Sequence, residues 1–199
     1  MPRQVDHDSR RRQIAQAVFE LISEQGMEGA TLRDAAARAG VSMGAVQRCF
    51  STKEEMVAFV MDYMNRRITE RVQARISGSA EPESAMTMLE ETLVGIVPLD
   101  EPSLAETKVW LAFTAQAAVN PKLAAVQREH YAGLAELLTL LIRVAQDAGH
   151  ARPGLDPAQE ADSLITFTDG LNVQILVGRH TPESALTTLN RRITALRTN

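Results

Sequence analysis

Residues 31–53 read TLRDAAARAGVSMGAVQRCFSTK, and their pattern predicts two short helices joined by a tight turn. Thr31 is a good N-cap for the first helix, because Asp34 follows three residues later in a capping-box arrangement. Gly40 readily adopts the left-handed conformation that ends a helix, and Ser42 then caps the second helix. Two helices joined in this way form a helix-turn-helix, whose second helix fits the major groove of DNA.

Helices are also predicted on both sides of this motif. Residues 9–25 form a first helix that ends at Gly26, and its apolar face consists of Ile14, Ala17, Val18, Leu21 and Ile22. A fourth helix runs from about residue 51 to residue 76, with Ser51 and Glu54 in a second capping box. Its inward-facing candidates are Met56, Phe59, Val60, Tyr63 and Met64.

Prolines divide the rest of the chain, because proline is favoured at the first position of a helix. They predict helices at about 82–97, 102–118, 121–148, 157–177 and 182–197. No strand–turn–strand pattern is present. The sequence therefore predicts an all-α fold of about nine helices, with one domain at 1–53, a larger domain at 54–199, and the helix at 51–76 linking the two.

The stretch from about residue 10 to residue 60 resembles the N-terminal DNA-binding domain of the TetR family of bacterial repressors. The resemblance rests on residue type and spacing at Gly26, Thr31, Ala36, Ala39, Gly40, Val41, Ser42, Gly44, Val46, Phe50 and Lys53. Where that family usually has Thr, Tyr and His, this sequence has Ala45, Gln47 and Cys49. The Tyr and His commonly touch phosphates in the family, so we expect Gln47 and Arg48 to take over part of that role.

The C-terminal part is similar to the ligand-binding domain of the same family, and most of all to its BetI-like branch. This resemblance rests on Glu106, Trp110, Phe113, Asn120, Pro121 and Tyr131. It implies a homodimer formed by the last two helices, about 157–197. The pattern supports such a dimer independently, because helix 157–177 is apolar or small on more than one face. The last helix adds a stripe of Ala185, Leu186, Leu189, Ile193 and Leu196.

Charge is unevenly distributed along the chain, whose net charge is −4. Residues 1–53 carry eight Lys and Arg against six Asp and Glu, whereas residues 54–199 carry thirteen against nineteen. A net charge of +2 on the first segment and −6 on the second is compatible with DNA binding by the N-terminal part. Arg10, Arg11 and Arg12 are interpreted either as phosphate contacts or as a solvated tail.

The composition also bounds the location of the protein. No run of about 18 uncharged apolar residues is present, so we expect no membrane span. The N-terminal MPRQVDHDSRRR lacks the apolar core of a secretory signal. A single cysteine forms no internal disulfide, which suits a reducing cytoplasm. We therefore expect a cytoplasmic protein.

The second helix of the motif carries the candidate DNA contacts. Those expected nearest the base edges are Ser42, Met43, Gly44, Ala45, Gln47 and Arg48. Gln pairs well with adenine, Arg pairs well with guanine, and a small apolar side chain fits a thymine methyl group. The candidate phosphate contacts are Thr31, Arg33 and Lys53, although Thr31 and Ser42 are also needed as caps. The residues expected in the core are Val41, Val46 and Phe50.

A small-molecule pocket is expected between the helices of the larger domain. Its candidate lining residues are Met64, Met88, Trp110, Phe113, Tyr131, Phe167, Asp169 and Asn172. The apolar members of this set are more often ordinary core residues than ligand contacts. An anionic Asp169 among aromatic residues suits a cationic ligand, and the alternative is an ion pair between Asp169 and an arginine.

Catalysis has little support in the sequence. The histidines (His7, His130, His150 and His180) lack metal-ligand spacing, and no phosphate-binding or dinucleotide-binding motif is present. We expect neither an enzyme nor a metal site nor a cofactor. For Cys49, a redox sensor is one hypothesis, and a small exposed or half-buried side chain is the simpler interpretation.

These observations predict a ligand-responsive transcriptional repressor. It would bind an inverted-repeat operator in double-stranded DNA as a homodimer, and a small molecule would release it. The alternative is a DNA-binding or protein-interaction scaffold without a small-molecule ligand. A closed core with an exposed apolar patch outside the dimer face would favour that alternative.

Overall fold

The computed structural model describes residues 2–198, with side chains from His7 onward. Within these residues the chain forms nine α-helices and one short 3-10 helix (Met27–Gly29) and no strand, so the predicted all-α fold is confirmed. The α-helices are α1 (Pro2–Gln25), α2 (Leu32–Ala39), α3 (Met43–Cys49), α4 (Lys53–Ser77), α5 (Ala85–Gly95), α6 (Glu101–Ala117), α7 (Pro121–Asp147), α8 (Pro157–Leu176) and α9 (Pro182–Thr194). None of them is long and apolar enough to cross a membrane.

The chain divides into two compact units. The first contains the chain up to Arg67 together with Lys108–Gln127, and the second contains Ile68–Thr107 and the chain from Arg128 onward. Helices α4, α6 and α7 therefore contribute residues to both units. The predicted division at residue 53 stays a prediction.

The start of α4 differs from the predicted capping box. The Thr52 hydroxyl oxygen accepts a hydrogen bond from the Glu55 N–H at 3.1 Å. The Glu55 carboxylate in turn accepts from the Ser51 N–H at 2.8 Å. The predicted pair of Ser51 and Glu54 is thus wrong by one residue, because the neighbouring Thr and Glu offer the same chemistry one position later.

The start of α5 also differs from the prediction. Ser84 caps this helix through the Thr87 N–H at 3.4 Å, and its own N–H donates to the Glu81 carbonyl at 3.1 Å. Pro82 therefore lies in a turn before the helix and not at its first position. At the two ends of the chain, α1 begins at Pro2 instead of residue 9, and α9 ends at Thr194 instead of residue 197.

The core of the first unit forms around the apolar face of α1. All five residues predicted on that face are buried, and so are Val46 and Phe50 from the helix-turn-helix and Met56 and Val60 from α4. Phe59 is half-buried, and its ring centroid lies 5.4 Å from that of Phe50. The back of the helix-turn-helix is therefore held by both α1 and α4.

The core of the second unit is built from α5, α7, α8 and α9 in one continuous cluster. Ala185, Leu189, Ile193 and Leu196 of the predicted dimer stripe are buried in this cluster within a single chain. Every exposed residue of α9 is polar. The stripe on α9 is thus used inside the chain, and an interface through residues 157–197 stays a prediction.

Candidate nucleic-acid interface and effector site

Helices α2 and α3 form the predicted helix-turn-helix, and both have side-chain caps. The Asp34 N–H donates to Thr31 Oγ1 at 3.1 Å, and the Thr31 hydroxyl donates to the Asp34 carboxylate. Gly40 has a φ of 64°, in the left-handed region where a residue without Cβ is unstrained. The Ala45 N–H donates to Ser42 Oγ at 3.2 Å, which begins α3. The predicted caps and turn are confirmed.

The recognition helix α3 has one buried and one exposed face. Val46, Cys49 and the following Phe50 are buried against the unit. The candidate base contacts are exposed at Ser42, Met43, Gln47 and Arg48 and half-buried at Gly44 and Ala45. Val41 is only half-buried, so its predicted place in the core is wrong. Its position in the surface turn explains this difference.

The exposed face of α3 and the neighbouring start of α2 carry polar groups with no internal role. Arg33, Gln47 and Arg48 form no hydrogen bond or ion pair with another residue that the structure describes. Arg48 Nη1 lies 3.5 Å from the position that a Cβ at Gly44 would take, so this glycine leaves room for the guanidinium. Unpaired guanidinium and amide groups on a groove-sized helix suit phosphates and base edges.

Lys53 has a structural contact that the sequence did not indicate. Its ammonium donates to the carbonyl of Met27 at 2.9 Å, and the side chain is half-buried. This bond ties the first residue of α4 to the 3-10 helix. Two ammonium protons remain, and the phosphate roles of Thr31, Arg33 and Lys53 stay predictions.

Arg11 is a second residue whose position the sequence did not indicate. Its guanidinium lies 4.8 Å from the Phe50 ring centroid and 4.5 Å from that of Phe59. Its Nη2 also lies 3.6 Å from Glu55 Oε1. Arg11 is thus neither part of a solvated tail nor aimed outward, because it joins α1, α4 and the end of α3. The paired phenylalanines were a signal for it, since such rings attract arginine.

A similar clamp joins α2 to α1. Arg38 Nη2 donates to Glu24 at 2.7 Å, and Nη1 lies 3.5 Å from Glu20. The hydrogen bond from Arg38 lowers the pKa of Glu24 below its ordinary value. Because these groups are exposed, the pair orients α2 more than it stabilises the fold.

Cys49 is buried, with 6% of its surface exposed, which corrects the interpretation as an exposed or half-buried side chain. Burial raises the pKa of its thiol, although the positive charges of Arg11, Arg10 and Arg48 oppose this shift. A buried thiol with a raised pKa has little thiolate and reacts slowly. The geometry therefore gives the redox hypothesis no support.

The residues proposed to line a ligand pocket are divided between the two units. In the first unit Met64 and Phe113 are buried and Trp110 is half-buried. In the second unit Met88, Tyr131 and Phe167 are partly buried and pack against its core. Of the whole set, the structure brings Tyr131 and Asp169 into direct contact.

Asp169 lies half-buried on α8 and accepts a hydrogen bond from the Tyr131 hydroxyl at 2.6 Å. No arginine or lysine within the described residues forms an ion pair with it. Burial raises the pKa of Asp169, and the bond from Tyr131 offsets part of that shift. The alternative of an ion pair between Asp169 and an arginine is therefore wrong.

One turn along α8, Asn172 connects this aspartate to the end of α5. Its side-chain N–H donates to the Ile96 carbonyl at 3.0 Å, whereas its Oδ1 is buried without a hydrogen-bond partner among the described residues. The adjacent carbonyl of Gly95 accepts from Arg71 Nη2 at 3.0 Å. These two neighbouring carbonyls thus join α8 to α4.

Arg71 also forms a two-pronged ion pair with Glu106 on α6. Its Nη1 and Nη2 donate to the two carboxylate oxygens at 3.0 and 2.6 Å, and Glu106 is buried. The hydrogen bond to Glu106 raises the pKa of Arg71. Next to this pair, a Cβ at Gly95 would lie 2.3 Å from Val72 Cγ2, so α4 and α5 approach at a distance that only glycine allows.

Comparisons with known proteins agree with the helix-turn-helix geometry. A family model described as bacterial regulatory proteins, tetR family, matches residues 14–60. A second model, described as BetI-type transcriptional repressor, C-terminal, matches residues 85–198, which is more than half of the chain. The chain is 32% identical over 177 residues to the HTH-type transcriptional regulator PksA of Bacillus subtilis, covering 89% of this chain and 83% of that protein.

Solved structures share the fold. A transcriptional regulator from Rhodococcus sp. Rha1 is 31% identical and superposes with a TM-score of 0.76 over 94% of this chain and 95% of that one. A regulator from Saccharomonospora viridis, solved in complex with choline, is 22% identical. It superposes with a TM-score of 0.84 over 96% of this chain and all of that one, a likeness that shows the fold alone.

Proposed function

The chain belongs to the TetR family of bacterial regulatory proteins, which makes it a DNA-binding transcriptional regulator and not an enzyme, and we propose that it is a ligand-responsive repressor. In this proposal a homodimer binds an inverted-repeat operator in double-stranded DNA. The two recognition helices enter successive major grooves, about 34–36 Å apart. A small molecule bound in the second unit releases the operator.

The observation that carries the DNA-binding half of the proposal is the exposed face of α3. Arg48 and Gln47 stand on a helix whose opposite face is fixed by Val46 and Phe50, so their positions are set before DNA arrives. We assign guanine recognition to Arg48 and adenine recognition to Gln47. Met43 and Ala45 suit thymine methyl groups, Ser42 and Gly44 bring the backbone close to DNA, and Thr31, Arg33 and Lys53 bind phosphates.

The effector is assigned to the surroundings of Asp169. An ionised carboxylate that is partly desolvated and held by one hydroxyl is under-compensated, so a bound cation would stabilise it. The partly buried aromatic rings of Tyr131 and Phe167 on the same unit offer cation–π contacts. These features favour a small organic cation, and the similar regulator from S. viridis was solved with one, choline.

The coupling to DNA is assigned to Arg71. It is linked to Gly95, the neighbouring Ile96 is linked to Asn172, and Asn172 lies one turn from Asp169. Because α4 is one continuous helix, a displacement at Arg71 is transmitted along its axis toward its first turn. A ligand that prefers the displaced state must by linkage bind less tightly when operator is present.

The proposal is tested by selecting operator DNA from a random pool and then titrating cations against the complex. Choline and tetramethylammonium serve as probes, and 3,3-dimethylbutanol, a neutral analogue of choline, serves as control. We expect the cations to raise the melting temperature and to weaken operator binding in the wild type, with no effect in Asp169→Asn. Equal cation affinity with and without operator would contradict the coupling, and no response to either cation would contradict the effector class.

A scaffold that binds another protein is the second candidate function. One observation favours it: α7 exposes an apolar stripe outside the predicted dimer helices. The same stripe is the subject of the following inference, whose test separates the two interpretations.

A further inference from the structure

Helix α7 carries an apolar stripe that its own chain does not cover. Leu137, Leu140 and Val144 are 43, 57 and 46% exposed. They follow one another at helical spacing, so they form one continuous strip. Isolated exposed leucines are ordinary, but three in a row on one helix are typical of a contact surface.

Two charged residues flank this stripe. With about 3.6 residues per turn, Leu137 and Val144 lie on one side of a line through Leu140, and Glu136 and Arg143 lie on the other. Both charged residues are exposed, and neither forms an ion pair with another residue that the structure describes. We call these five residues the α7 face.

A shallow cleft of about 350 Å³ opens beside the α7 face, between α7 and the first turns of α8. Its walls include Glu136 and Arg143 from α7 and Asp162 from α8. Two carboxylates against one guanidinium give this cleft an unpaired negative charge. An arriving basic side chain would fit it.

We propose that a second copy of this chain covers the α7 face, with the two α7 helices packed antiparallel about a two-fold axis at Leu140. The order of residues carries the argument. Reversing the helix about Leu140 places Leu137 opposite the partner's Val144 and Glu136 opposite the partner's Arg143. Because a two-fold axis in the contact plane keeps each side of the helix facing the same side of its copy, apolar meets apolar and acid meets base.

This self-complementarity is the reason to choose a second copy over another partner. An unrelated protein would have to carry the matching order of charges independently, whereas an identical chain supplies it by symmetry. The stripe alone is smaller than the roughly 800 Å² per partner that a stable interface buries, so the cleft and the start of α8 belong to the contact. The inference rests on the homodimer of the proposed function and moves its centre from α9 to α7.

The test is a charge exchange followed by sedimentation equilibrium on the full chain. In a two-fold interface, Glu136→Arg and Arg143→Glu each create two like-charge contacts, so each should weaken the dimer about tenfold or more. The double variant rebuilds both contacts with reversed sign and should return the dimer constant to near that of the wild type. Leu140→Glu should also weaken the dimer.

Asn190→Arg is the matched control, because Asn190 is exposed on the polar face of α9. Unchanged circular dichroism and melting of the monomer keep folding out of the comparison. A wild type that is monomeric would contradict the proposed homodimer itself. A dimeric wild type that is insensitive to all α7 variants would contradict this inference alone, and dissociation by Asn190→Arg without any effect of Glu136→Arg would place the interface on α9. Failure of the double variant to recover would contradict the antiparallel pairing.

Discussion

The outer faces of α3 and α7 both hold side chains without internal partners, but their chemistry is opposite. On α3 the unpaired groups are a guanidinium and an amide above a fixed apolar back, and they lose little by staying in water. On α7 the unpaired groups are two leucines and a valine, which water disfavours continuously. The first face is suited to a partner that comes and goes, and the second is suited to one that stays. A regulator needs both kinds of contact, since its reading helices must be held at a lasting spacing while DNA binding remains reversible.

The largest effect is expected at the reversible face. Arg48→Ala removes a specific contact from both half-sites, each worth about 1–3 kcal/mol, so operator affinity should fall about thirtyfold or more. Binding to random DNA should fall less. An electrophoretic shift titration at fixed salt measures both, with Arg191→Ala on α9 as control. Equal losses on operator and random DNA would assign Arg48 to phosphates.

The next effect concerns the pairs that hold α4. Glu106→Gln leaves Arg71 beside a neutral partner in a largely buried site, and should lower the free energy of unfolding by about 2–3 kcal/mol. Glu91→Gln is the matched control, because Arg75 and Glu91 form an exposed pair at 2.6 Å. That pair should contribute about 0–1 kcal/mol. Urea titration compares the two, and similar losses would show that Arg71 is not a special contact of α4.

A smaller effect is expected in the pH dependence of stability. Because burial raises the pKa of Asp169 in the folded chain, the folded state binds its proton more tightly than the unfolded state. Stability should therefore fall as pH rises from the ordinary aspartate range through the raised pKa. Asp169→Asn should remove this fall and raise the melting temperature at neutral pH, whereas Glu81→Gln, an exposed control, should do neither. A melting profile against pH that is identical in wild type and Asp169→Asn would contradict the assignment.

The smallest effect is expected at Cys49. Its buried thiol should react with a disulfide reagent much more slowly in the folded protein than after denaturation. Operator binding should be unchanged by mild peroxide. Rapid reaction in the native state, together with loss of binding, would restore the redox hypothesis.

The same two faces differ in how much the sequence indicated about them. The helix-turn-helix is specified by local chemistry: Thr31 and Ser42 cap, and Gly40 turns, each through bonds to residues within four positions. Such features can be predicted from one stretch of chain. The contact of Arg11 with Phe50 and Phe59 joins residues about forty positions apart, and no local pattern indicates it.

The second unit shows the same limit. The apolar periodicity of α9 correctly predicted a buried stripe, but periodicity alone does not tell whether the same chain or another copy covers it. The stripe is covered within the chain, and the exposed one lies on α7. Likewise, Asp169 was a reasonable candidate from its apolar surroundings, but its partner, Tyr131, became evident only in the fold.

The close approach of Val72 to Gly95 has a consequence for genetics. Any side chain at position 95 would collide with a branched residue of α4, so the substitution must shift that helix even though position 95 is assigned no contact with DNA or effector. Random mutagenesis should therefore yield alleles at this glycine with constitutive phenotypes, locked on or off, in a chain that still folds. The tightest point of the second unit would then be recognised by its phenotype before any ligand for the protein is known.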